Sequence, residues 1–131
     1  MNKSVLIIDE DPLALKLLTL TLKSAGFLVY TSSNSKQALR QIQSQPADVI
    51  LLDVNTSRHE GLKVCHELQR HRDAAHLPIV LLSNCQHAEE NVNRLASTIT
   101  HLYKPVSRGA LVHELRRQTA VSIPFLNRRQ A

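Results

Sequence analysis

The stretch Val5 to Pro12, VLIIDEDP, sets four aliphatic residues directly against three acids and a proline. No polar residue alternates through Val5–Ile8, so the run reads as a strand covered on both faces, as in a parallel sheet flanked by helices. Asp9, Glu10 and Asp11 end it abruptly. Asp11 before Pro12 is the pattern of a helix cap followed by proline in the first turn, and Gly26 stands where that helix should stop. Two more runs have the same character: Val49–Leu52, ending in Asp53, and Ile79–Leu82, ending in Ser83. Phe27–Thr31 and Ile99–Tyr103 are weaker strand candidates, the second followed by Lys104. Between the strands lie helical patterns over Pro12–Ala25, Ser35–Ser44, Gly61–Arg70, Ala88–Ala96 and Ser107–Thr119. Five strand–helix alternations predict an open, doubly wound parallel α/β sheet with five helices. Right-handed crossovers leave few topologies, and the flavodoxin-like strand order 2-1-3-4-5 is the expected one.

A chain of 131 residues with 43% hydrophobic residues supports one core, expected over residues 1–120, with 121–131 as a tail or linker stub. The start of the chain lacks the pattern of a signal peptide, and the leucine-rich Leu13–Leu22 is interrupted by Lys16 and is too short to span a bilayer. The expectation is a soluble, cytoplasmic protein without a membrane partner. Cys65 and Cys85 lack the paired spacing of a metal knuckle, and the seven histidines show no tight ligand spacing. The net charge of +5 is concentrated after Asn84, where seven basic residues face three acidic ones. A mildly basic helix and tail read as solvated surface, not as a nucleic-acid interface.

The polar residues fall where chemistry is expected. Asp9 and Glu10, Asp53, Ser83 and Lys104 all stand at carboxyl ends of strands, and open α/β sheets bind ligands outside those ends. Crowded carboxylates repel one another unless a cation lies between them. An oxygen-only set with open positions suits Mg²⁺, with Asp9 or Glu10, Asp53 and the backbone carbonyl of Asn55 as candidate ligands. Asp53, on the central strand, is the natural nucleophile toward phosphorus, forming an acyl phosphate. The Ser83 hydroxyl and Lys104 ammonium could each serve a phosphoryl oxygen.

These pieces, VLIIDEDP, ADVILLD, the glycine of HEGLKVC, LPIVLLS and YKPV, resemble in order and spacing the bacterial response-regulator receiver domains, from about Lys3 to Gln118. The resemblance implies that Asp9 and Glu10 are the acidic metal-binding pair, Asp53 the phosphoacceptor, Ser83 the hydroxyl switch residue and Lys104 the phosphate-sensing lysine. It also implies a cis Lys104–Pro105 peptide. Implied partners are a histidine kinase or histidine phosphotransfer protein as donor and an effector for the output face; a second copy of the chain is a further candidate partner. The chain's own chemistry would be limited to accepting and losing the phosphoryl group. Several positions depart from the family pattern. Glu10 replaces the commoner aspartate, and Thr56 and Ser57 stand where methionine and proline are usual. Asn84 is bulkier than expected, Ser97 replaces a glycine, and His101 takes the place of Tyr or Phe. His101, three residues before Lys104, is expected to swing inward when Ser83 engages the phosphoryl group.

Two other readings stand beside this one. Asp9 and Asp11 form an Asp-x-Asp after the first strand, as in haloacid-dehalogenase-like phosphatases, although the later lysine and paired aspartates of that family are not evident. A degenerate receiver, acting only through protein association, is suggested by Glu10 and the altered output-face residues.

Overall fold

The computed structural model describes residues 2–54, 58–84 and 98–120, with nothing to be said of the side chains of 58–60. Five strands, β1 (Ser4–Ile8), β2 (Leu28–Ser32), β3 (Val49–Val54), β4 (Ile79–Ser83) and β5 (Ile99–Tyr103), form one sheet in the order β2-β1-β3-β4-β5. Every neighbouring pair is parallel. The four described helices are α1 (Pro12–Ser24), α2 (Ser35–Ser44), α3 (Arg58–Gln69) and α4 (Arg108–Ala120). The expected flavodoxin-like order is therefore observed, and the helix expected at Ala88–Ala96 lies outside the described residues.

Strand periodicity divides the core in two. Leu6, Ile8, Ile50, Leu52, Ile79 and Leu81 face Ala38 and Ile42 of α2 and Cys65 and Leu68 of α3. Val5, Ile7, Val49, Leu51, Val80 and Leu82 face Leu22 of α1 and Leu111, Val112 and Leu115 of α4. β1, β3 and β4 are buried throughout, which is why their sequences carry no alternation. β2 and β5 are the edges, only partly covered, and they were the weaker strand signals for that reason.

Local chemistry sets the helix ends. Asp11 caps α1, its Oδ1 accepting from Leu13 N at 3.0 Å with Pro12 in the first turn. Gly26 follows α1 at φ 97°, a left-handed conformation that favours glycine. Ser107 caps α4, accepting from Ala110 N at 3.0 Å. In α3 the sequence pattern places the start at Gly61, whereas the helix begins at Arg58 and carries the glycine inside it. The reason is tertiary: a Cβ at Gly61 would lie 2.6 Å from Val54 Cγ2 and 3.2 Å from Leu81 Cδ1. Glycine at this position permits α3 to approach β3 closely.

Gly61→Ala should accordingly destabilise the domain by about 1–3 kcal/mol, because Val54 is β-branched and cannot step aside by a rotamer change. Urea unfolding followed by circular dichroism would check this, and a midpoint equal to that of the parent would contradict the close approach.

Candidate functional site

Parallel strands all point the same way, so their carboxyl ends open on one edge of the sheet. Asp9 follows β1 and is 1% exposed, Asp53 is the fifth residue of β3 at 7%, and Ser83 closes β4 at 2%. Register fixes their relation: Asp53 pairs with Leu82 and Val54 with Ser83. Lys104 enters from the end of β5, its backbone N–H donating to Ser83 O at 2.8 Å. Its ammonium reaches past β4 to form an ion pair with Asp53 Oδ1, and Nζ also lies 3.5 Å from Val54 O. The following Lys104–Pro105 peptide is cis.

Asp9 and Asp53 lie side by side, and the electrostatics follow from burial. The Asp9 carboxyl is pushed from 3.8 up to about 7, first by desolvation and then by its hydrogen bond to and the charge of Asp53. Opposing this, Asp11 N donates to Asp9 Oδ1 at 2.9 Å, and the Lys104 ammonium favours the charged form. A buried carboxyl held half-protonated near neutral pH is a place where a cation would displace a proton. Among the described residues, however, no three of His, Cys, Asp and Glu converge as a metal cage. Asp9 and Asp53 are brought together. Glu10 lines the same cleft but is exposed, and Asn55, Thr56, Ser57 and Ser97 lie outside the described residues.

Two openings meet at Asp53. One, of about 140 Å³, is lined by Asp9, Glu10, Asp53, Gly61 and Val64 and by Ser33, Asn34 and Ser35. The other, of about 630 Å³, runs between α1 and the β5–α4 connection, with Asp53 and Lys104 at its inner end and Leu17, Leu18, Leu82 and Val106 along its walls. The first is small and carries three carboxyls and three hydroxyl or amide side chains; the second is larger and mostly apolar. The Ser33–Ser35 wall is a contribution that sequence reading missed. Its only signal was a polar run before α2, where Asn34 caps the helix by accepting from Gln37 N at 2.9 Å.

Asp11 is exposed and its side chain is committed to capping α1. It does not join Asp9 in the cleft, which removes the second acid of an Asp-x-Asp phosphatase site. His101, partly buried on β5, places Nε2 2.7 Å from Ser83 Oγ, and its ring centroid lies 4.2 Å from that of Tyr103. The imidazole is thus in contact with the Ser83 hydroxyl.

A five-stranded parallel sheet in this order, with a buried acid on its central strand and a lysine reaching it from the edge, defines a receiver-type domain. The model of the response regulator receiver domain matches residues 5–116, and the chain belongs to that family. It is 27% identical over 128 residues to the alkaline phosphatase synthesis transcriptional regulatory protein PhoP of Bacillus subtilis (strain 168), covering 95% of this chain and 52% of that protein. The chain therefore spans about half of that relative's length. Among solved structures, it superposes on a response regulator receiver modulated diguanylate cyclase from Pelobacter carbinolicus with a TM-score of 0.79 and 26% identity, covering 95% of this chain and 98% of that one. For the chemotaxis response regulator CheY4 of Vibrio cholerae the TM-score is 0.74 at 25% identity, over 90% and 99% of the two chains. No helix among the described residues is long and apolar enough to cross a membrane.

The raised Asp9 pKa makes a signed prediction. Because the unfolded carboxyl ionises near 3.8 and the folded one near 7, ionisation costs stability as pH rises through that window. With metal chelated, Asp9→Asn should stabilise the domain above pH 7, on the order of 1–3 kcal/mol, and have no such effect below about pH 4. Thermal unfolding across pH in EDTA measures it, and a destabilised variant at pH 8 would contradict the assignment.

Proposed function

We propose that this chain is the phosphoacceptor module of a two-component phosphorelay, with Asp53 receiving a phosphoryl group from a histidine kinase or histidine phosphotransfer protein. The observation that carries the reading is the ion pair between Asp53 and Lys104, formed across β4 at the mouth of the sheet. An ammonium held against the nucleophile's own oxygen is placed to follow negative charge when that oxygen becomes part of an acyl phosphate. The family membership supports it as well.

In this reading Asp53 attacks phosphorus with one carboxylate oxygen, and the donor's imidazole leaves. Its position at 7% exposure makes it reachable from the larger opening while keeping bulk water at a distance. Lys104 orients and partly neutralises the transferred group, and Ser83 supplies a hydroxyl proton to one of its oxygens. Asp9 and Asp53, with Glu10 at the rim and the Asn55 carbonyl, would hold Mg²⁺, for which the paired buried carboxyls are suited. When bound, the ion offsets charge on the phosphoryl oxygens and relieves the repulsion that raises Asp9. The output is a repacking of the β4–β5 side of the domain that alters association with an effector. Residues 1–120 carry this activity, within the cytoplasm.

Incubation with acetyl phosphate and Mg²⁺ should add one phosphoryl group, seen by intact mass and removed by hydroxylamine. Asp53→Asn should abolish labelling, and EDTA or Asp9→Asn should lower it at least tenfold. Lys104→Ala should retain some labelling while losing the spectroscopic change that accompanies it. Label that persists in Asp53→Asn and disappears only in Asp9→Asn would replace this reading with the phosphatase one; a protein inert to acetyl phosphate would replace it with a phosphorylation-independent association module.

A further inference from the structure

α1 carries two apolar faces. Leu15, Leu18 and Leu22 turn inward onto one layer of the core, whereas Leu13, Leu17 and Leu20 are 63%, 57% and 58% exposed. Positions i, i+4 and i+7 share one side of a helix, so these three form a continuous outward stripe. A lone exposed leucine is ordinary, but three along one face mark a surface that something covers. Leu17 also belongs to the wall of the larger opening, which ends at Asp53 and Lys104. The chain itself supplies an occupant. After α4 it continues as Val121–Ala131, VSIPFLNRRQA, with Ile123, Phe125 and Leu126 ahead of Arg128 and Arg129. That segment lies outside the described residues, but the place it departs from does not. The last turns of α4 lie beside the end of α1, where Arg116 Nη2 donates to Ala25 O at 3.0 Å and Leu115 shares a core layer with Leu22.

We propose that the segment Val121–Arg129 turns back from α4, lies along the Leu13–Leu17–Leu20 face of α1, and restrains access to Asp53 through the larger opening. Length permits it. α1, at 13 residues, is about 20 Å long, and α4 runs about 6 Å past Arg116. Nine extended residues reach about 30 Å, enough to return past the end of α1 and follow it to its start. Pro124 biases Ile123 toward extended backbone, in which Ile123 and Phe125 share one face and come level with Leu20 and Leu17. Arg128 and Arg129 then arrive at the start of α1, where Glu10 and Asp11 are both exposed. Opposite charges meet at that end, whereas the reverse direction would set the arginines beside Lys23. Because Leu17 is both stripe and wall, a segment seated there crosses the rim of the opening and narrows it. The seat stands on the leucine stripe and the reach of the chain; the restraint on access rests on the phosphoacceptor reading.

The sequence holds two phenylalanines, Phe27 and Phe125, and Phe27 is buried in the core. Full-length protein labelled in its phenylalanine rings and leucine methyls therefore reports on the segment directly. Nuclear Overhauser contacts should join the Phe125 ring to the Leu17 and Leu20 methyls, persist on dilution, and be absent between labelled and unlabelled molecules in a mixed sample. Ile123→Ser/Phe125→Ser should release the face and speed labelling of Asp53 by acetyl phosphate and Mg²⁺ about fourfold to tenfold, as when a seat filled roughly three quarters to nine tenths of the time is emptied. Leu17→Gln should give a similar rise, and the three substitutions together no more than either set, because both remove one contact. Absence of the ring contacts in the isolated protein overturns the inference and leaves the stripe to another protein. Contacts found only between labelled and unlabelled molecules overturn it in favour of a second copy. Contacts present with an unchanged labelling rate overturn the restraint on access. If Asp53 is labelled in no variant, the phosphoacceptor reading falls and the restraint with it, while the ring contacts still decide the seat.

Discussion

Asp9 and Asp53 are two acids buried at adjacent strand ends, 1% and 7% exposed, and their mutual proximity is the constraint around which the site is arranged. Left alone, two such carboxylates in a poorly hydrated cleft would destabilise the fold. The molecule answers with the Lys104 ammonium on Asp53, the Asp11 amide on Asp9, and a protonation equilibrium moved toward neutrality. Each of these is a partial remedy. The remaining electrostatic stress favours a charge of opposite sign beside the two acids.

The scaffold makes that stress tolerable. β1, β3 and β4 are buried from both faces, so the acids are mounted on strands held between two apolar layers, and those layers offset the cost of burying them. Gly61 lets α3 close on Val54, immediately after Asp53, and so brings a helix wall to the smaller cleft. On the other side the cleft widens between α1 and the β5–α4 connection. Asp53 thus has a tight, polar side and a broad, largely apolar one.

β4 and β5 connect this chemistry to the edge of the sheet. Ser83 and Lys104 are joined through a backbone hydrogen bond, and Ser83 and His101 through their side chains. The contact places the Ser83 hydroxyl against a partly buried ring on an edge strand.

Much of this could be read without coordinates. Uninterrupted apolar runs marked β1, β3 and β4, because strands buried on both faces have no reason to alternate, and the order of elements then restricted the topology. Asp9, Asp53, Ser83 and Lys104 were legible because each stands at or beside the carboxyl end of a strand, and parallel strands bring such ends to one edge. Other features were not legible in one dimension. Among the leucines of α1, Leu22 is buried and Leu13 is 63% exposed, a distinction set by what packs on the helix. The proline after it marked Asp11 as a helix cap, but the burial of Asp9 against Asp53 had no sequence signal. Gly61 resembled a helix start until the Val54 side chain gave it a different purpose. Residue types and periodicity by themselves determined the layers and the chemical inventory of the site, and narrowed the strand order to a few. The tertiary structure alone decided which acid is buried, which ring meets Ser83 and which ammonium meets Asp53, because those are matters of through-space distance and desolvation between residues far apart in the chain.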